Sequence, residues 1–109
     1  MLHWKHLDSV AQFEELMNTS VNKPFAVFKH STRCSVSSMA KKKIEFEWSF
    51  KEDQMPIYYL DLLAHRDISN RISQDLHIEH QSPQLLVIQN KKAIYHHSHG
   101  DIEVADIPL

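Results

Sequence analysis

The 109-residue sequence predicts an α/β fold: a mixed sheet of four to five strands with helices on both faces. Three observations lead there. Short apolar runs alternate with stretches of helical periodicity along most of the chain. Two β-rich runs near the C-terminus flank a short polar connection, the pattern of an antiparallel hairpin. No repeat, low-complexity tract or linker interrupts the alternation, so residues 1–109 fit one domain, which at this length buries roughly 65% of its unfolded surface.

The elements follow in order. His3 to Leu7 read as an edge strand. Asp8 or Ser9 caps a first helix, Ser9-x-x-Gln12 has capping-box spacing, and Val10, Phe13, Leu16 and Met17 share one helical face. That helix ends near Asn18 to Ser20, and Pro24 stops any continuation. Phe25-Ala-Val-Phe28 is an apolar run suited to a strand buried on both faces, and His30-Ser-Thr-Arg-Cys34 reads as a polar loop. A second helix runs from about Ser35 to Phe50, with Val36, Ala40, Ile44 and Trp48 as an i, i+4 ridge flanked by Met39, Phe46 and Phe50. Pro56 opens the strand Ile57-Tyr-Tyr-Leu60, and Asp67 is the expected N-cap of a third helix bearing Ile68, Ile72 and Leu76. Its turn-rich exit includes Ser82-Pro83. Gln84-Leu-Leu-Val-Ile88 and Ala93-Ile-Tyr-His96 form the hairpin around Asn90-Lys-Lys92, and the last nine residues read as either a short helix or a loose tail. The order β-α-β-α-β-α-β-β is the thioredoxin arrangement, which places the loop holding Cys34 at the carboxyl edge of the sheet.

Composition narrows the function. Lys and Arg number 12 against 14 Asp and Glu, a net charge of −2, with 42% apolar residues, the balance of an ordinary soluble protein. Disorder and nucleic-acid binding are disfavoured; Lys41-Lys-Lys43, followed at once by Glu45 and Glu47, reads as a solvated helix face. Trp4 and Trp48 read as core anchors. No apolar run approaches the roughly 20 residues that span a bilayer, and Met1-Leu-His-Trp-Lys lacks the pattern of a signal peptide, so the expected address is cytoplasmic. The single Gly argues against Rossmann and P-loop phosphate cradles. The single Cys forbids an internal disulfide and is either a buried small hydrophobe or a reactive thiol.

Cys34 precedes the second helix by one residue, so its sulfur faces the positive end of the helix dipole and otherwise unpaired N–H groups. Both favour a thiolate, and Arg33 adds a cation. Ser37 stands where a dithiol oxidoreductase has its second cysteine, so the adduct on Cys34 requires a thiol from outside the chain for its release. Ser35 or Ser37 can also satisfy early helical N–H groups. In thioredoxin-like proteins a cis-proline precedes the hairpin and faces the cysteine, offering a backbone edge to extended substrates. Ser82 and Pro83 occupy that place, although the dipeptide alone leaves the isomer open. His30 can hold the loop by hydrogen bonding, modulate Cys34, or be a satisfied strand-end histidine. His96-His-Ser-His99 invites a metal reading, but on a strand His96 faces away from His97 and His99, and no carboxylate or thiol completes a ligand shell. No metal site is assigned.

Three segments resemble the YtxJ-type monothiol bacilliredoxin family: Phe28-Lys-His-Ser-Thr-Arg-Cys34-Ser-Val-Ser37, Arg66-Asp-Ile-Ser69-Asn70 with Ile72, and His80-Gln-Ser82-Pro83-Gln84. The family carries a Lys-His-Ser-Thr-x-Cys-x-x-Ser run, a Ser-Pro-Gln stretch and a His-x-Ser-His turn after its last strand, here Lys29 to Ser37, Ser82 to Gln84, and His96 with Ser98 and His99. The resemblance implies a thioredoxin-like cytoplasmic protein that removes bacillithiol from S-bacillithiolated client proteins. Cys34 would accept the thiol, Thr32, Arg33, Ser35, Ser37 and His30 would shape the site, and Ser82 and Pro83 would bind substrate. No cofactor is bound; bacillithiol, a low-molecular-weight thiol, is co-substrate, and it or a reductase system restores Cys34. Ser35 departs from the usual proline, Arg33 from a small polar residue, and Gly100 from an aromatic. Two other readings stand beside this one: a non-enzymatic redox-sensing or binding module, and a metal-binding protein using the terminal histidines.

Overall fold

The computed structural model describes residues 2–109. Five strands, β1 (Trp4–His6), β2 (Phe25–His30), β3 (Ile57–Asp61), β4 (Gln84–Gln89) and β5 (Lys92–Ser98), alternate with α1 (Val10–Asn18), α2 (Ser35–Glu47) and α3 (Arg66–Leu76). The sheet order is β1-β3-β2-β4-β5. β3 runs parallel to both β1 and β2, whereas β4 is antiparallel to β2 and to β5. This is the thioredoxin topology, with the mixed sheet and two-sided helical cover that the sequence predicts.

Alternation along the central strands divides the core into two layers. Ala26, Phe28, Ile57, Leu85 and Val87 face α2, where they meet Ala40 and Ile44. Phe25, Val27, Tyr58, Leu60, Leu86 and Ile88 face Phe13 of α1 and Ile68 and Ile72 of α3. β2, third of the five strands, is buried along its whole length because helices cover both its faces.

The first helix begins as its capping signal predicts. Ser9 Oγ accepts the Gln12 N–H (3.1 Å), and the Gln12 amide reaches back to accept the Asp8 N–H (2.8 Å) and donate to the His6 carbonyl (2.9 Å). Elsewhere the structure differs from expectation. α2 stops at Glu47 rather than Phe50, because Trp48 turns extended (φ −65°, ψ 119°). Extended backbone lets Trp48 and Phe50 face the same way, ring centroids 5.1 Å apart, and both pack on the core; a continued helix would point them to nearly opposite sides. The inward line of α2 is Ser37, Ala40 and Ile44, while Val36, Met39 and Phe46 face solvent. α3 is capped by His65 instead of Asp67, which lies in the first turn where a carboxylate suits the helix dipole.

The hairpin turns through Asn90 and Lys91 alone, both at positive φ (55° and 62°), so β5 starts at Lys92. Ser20 anchors this tip: its carbonyl accepts the Asn90 N–H and its hydroxyl the Lys91 N–H. β5 also continues past His96 to Ser98, because Gln84 supplies Ser98 with a pairing partner. The C-terminal segment forms two 3₁₀ turns, His99–Asp101 and Val104–Asp106, which bury Ile102, Val104 and Ile107 beside α2. The Tyr95 hydroxyl donates to the Glu103 carbonyl (3.1 Å) and accepts its N–H (3.0 Å), and the Lys43 ammonium bonds the Ile102 carbonyl and Glu103. Among the described residues, no helix is long and apolar enough to cross a membrane.

Candidate active site

The site grows from the carboxyl end of β2. The strand carries two polar residues beyond the apolar run, and Lys29 and His30, the latter expected in the loop, are both buried. A turn follows in which the Cys34 N–H donates to the Ser31 carbonyl (3.1 Å), and the Cys34 carbonyl accepts the first helical bond, from Ser38 N–H (3.1 Å). Cys34 is thus the N-cap of α2, with extended backbone (φ −109°, ψ 120°). Its thiol is half-buried and makes no capping hydrogen bond, so the sulfur is left free at a helix end that favours negative charge. Thr32, Arg33 and Ser35 are exposed around it.

Ser37, one turn further on, is wholly buried. Its hydroxyl accepts the Ser31 N–H (3.1 Å) and bonds His30 Nδ1, so it neither caps α2 nor presents a group to substrate; it pins the loop to the strand. The His30 ring stacks on Phe28 (5.6 Å) and meets Tyr59 edge-on (5.4 Å). Burial lowers the His30 pKa, Lys41 acts in the same direction, and Asp61 and Ser37 oppose it. Of the roles open to His30 in the sequence, the geometry shows the hydrogen-bonded hold on the loop.

The opposite wall comes from the start of β4. Lys29 pairs with Gln84, so the end of β2 lies beside the residue that follows Pro83. The Ser82–Pro83 bond is cis, which settles the isomer the dipeptide left open. The Pro83 carbonyl accepts the His99 N–H (3.0 Å), joining the segment after β5 to the same edge. The chain thereby brings the Cys34 loop and Ser82–Pro83 to one rim of the sheet. His96 and His97 alternate across β5, and His97 packs edge-on against Tyr95 (5.1 Å). Among the described residues, no three His, Cys, Asp or Glu side chains gather to hold a metal.

One cluster was not singled out by sequence reasoning. Lys29 has no solvent exposure, and its ammonium lies 3.4 Å from both Ser73 Oγ and His80 Nδ1. Burial lowers its pKa from 10.5 to about 8, with Arg66 adding to the effect. The available signal was period 2: Lys29 falls on the same face of β2 as Phe25 and Val27, the face that α3 covers.

A thioredoxin-type sheet with a cysteine capping the helix after β2 and a cis-proline at the same rim defines the class: a thioredoxin-like thiol oxidoreductase. The family model described as Monothiol bacilliredoxin BrxC matches residues 5–107, and the chain belongs to that family. A solved protein described as a proposed oxidoreductase with a thioredoxin fold is 32% identical, with a TM-score of 0.79 over 94% of this chain and 88% of that one. Thioredoxins from Malassezia sympodialis and Trypanosoma brucei brucei share the fold at 18% and 14% identity, each with a TM-score of 0.69 over 93% of this chain, and over 83% and 80% of their own.

Proposed function

We propose that this protein is a monothiol thiol-disulfide oxidoreductase that removes bacillithiol from protein mixed disulfides in the cytoplasm, with Cys34 as nucleophile. The observation that carries the reading is the pairing of a free thiol at the α2 N-cap with a Ser37 turned inward onto His30 and Ser31. One sulfur is available for attack, and the position of a resolving thiol is closed.

In the first step the Cys34 thiolate attacks the bacillithiol sulfur of the client's mixed disulfide. The client's sulfur leaves as a thiolate and takes a proton from solvent, and Cys34 holds bacillithiol in a new disulfide. A second low-molecular-weight thiolate, or a reductase, then attacks the bacillithiol sulfur and returns Cys34 to its thiolate. With a small thiol as resolver, the mixed disulfide and one free thiol become the free client thiol and the small-thiol disulfide, so one disulfide is consumed and one is formed. The backbone of Ser82, just before Pro83, offers an edge along which an extended client segment can pair, and Thr32, Arg33 and Ser35 frame the opening.

The test is incubation of a bacillithiolated protein with wild type and with Cys34→Ser. Wild type releases the client thiol and carries a bacillithiol adduct on Cys34, seen by mass spectrometry, while the variant does neither. Equal client reduction by the two proteins would rule the reading out.

A further inference from the structure

The segment between α3 and β4, residues 77–83, delivers Pro83 to the rim, and what holds it is a histidine surrounded by nitrogen. His80 Nε2 lies 3.3 Å from Arg66 Nη1, and Nδ1 lies 2.9 Å from Ser69 Oγ and 3.4 Å from the buried Lys29 ammonium. The guanidinium and the ammonium both only donate and face opposite ring nitrogens, so the neutral ring accepts from one of them at a time, while the Ser69 hydroxyl can donate or accept at Nδ1. The facing groups come from two elements, Arg66 and Ser69 on α3 and Lys29 on β2. Gln84, beside Lys29 across the sheet, is neutral and holds the same segment by donating to the Glu79 carbonyl (3.2 Å). Among the described residues, no carboxylate lies within 4 Å of the Lys29 or Arg66 nitrogens.

We propose that His80 is a positioning residue for the exchange reaction: its neutral ring ties the 77–83 segment to α3 and β2, and protonation unties it, withdrawing the Ser82 edge beside Pro83 from the client. Protonation would turn both ring nitrogens into donors, removing the ring's one acceptor and placing a third positive charge beside Lys29 and Arg66. Burial, then Lys29 and Arg66, lower the His80 pKa in agreement with this arrangement, so the tie holds at neutral pH and fails in acid. The inference rests on the exchange reading above and adds a group that governs how a polypeptide substrate seats.

The experiment pairs NMR with kinetics on wild type, His80→Gln and His80→Ala. Gln is neutral at every pH and keeps hydrogen-bonding capacity. In wild type the backbone amides of Gln81, Ser82 and Gln84 move with the His80 ring titration, and kcat/KM for a bacillithiolated protein falls in the same pH range. In His80→Gln those amide shifts and that acid limb disappear. His80→Ala loses about tenfold in kcat/KM toward the protein mixed disulfide, the scale of a misplaced binding edge, while a small aromatic disulfide reacts with Cys34 within about twofold of wild type, since it does not use the edge. Amides that ignore the ring titration, or an acid limb unchanged in His80→Gln, overturn the proposal. Amides that follow His80 in a wild type that never reduces the protein mixed disulfide overturn the exchange reading, and the positioning role with it.

Discussion

Replacing Lys29 by Met tests the electrostatics of the site directly, because Met keeps much of the volume and apolar stem while removing the charge. Lys29 is fully buried, and its neighbours within reach are Ser73 and His80. Its pKa falls from 10.5 in the open chain to about 8 in the fold. At about 1.4 kcal/mol per pH unit, that displacement corresponds to about 3 kcal/mol. Below about pH 8 the lysine is charged in both states, and the folded state carries the full desolvation cost. Between about 8 and 10.5 the unfolded chain holds the proton more tightly than the folded one, so stability rises with pH; above that range the contribution is flat. The stability of wild type minus that of Lys29→Met therefore rises by about 3 kcal/mol from neutral to strongly alkaline pH. Urea unfolding of the two proteins at several pH values reads this difference, in which the titration of every other lysine and tyrosine cancels. A difference that stays level from about pH 7 to pH 10 refutes the reasoning, since it would mean that the buried amine keeps an ordinary affinity for its proton.

Three further outcomes follow from the geometry. Ser37→Ala leaves the part-buried Ser31 N–H and the buried His30 ring short of a partner and lowers stability by about 1–3 kcal/mol in urea, with slower exchange at Cys34. Tyr95→Phe breaks both bonds to Glu103, so hydrogen exchange of the Ile102–Ile107 amides accelerates, at a cost of about 1–2 kcal/mol. Phe46→Glu, at a side chain 92% exposed on α2, changes stability by less than about 0.5 kcal/mol, whereas Ile44→Ala two residues away costs about 2–5 kcal/mol by thermal or urea unfolding.

The strands and α1 were legible because local signals and tertiary packing agree there. Phe25 to Phe28 and Gln84 to Ile88 are apolar runs that belong in the centre of a sheet wherever they pair, and Ser9 with Gln12 carries its own cap. α2 starts at Ser35 as read, but its end and part of its buried face were misread, because its apolar residues outnumber the places on that face. Periodicity favoured Val36 and Met39, but the hydrogen bonds of Ser37 to His30 and Ser31 turn the helix so that those two face water. The C-terminal turns were illegible because three apolar residues bury without a repeating period, held by Tyr95 and Lys43 from distant elements.

By itself, then, the sequence determined the α/β class, the order of the elements, the lone thiol at a helix start and the missing resolver, since these depend on residue type and short spacing. Only the tertiary structure decided that Ser37 is a pin rather than a cap, that the bond before Pro83 is cis, and that Lys29 and His80 meet 51 positions apart under α3. Such contacts depend on how strands register and which helix face turns inward, and a polar residue's role in a core is set by the partners that the fold brings to it.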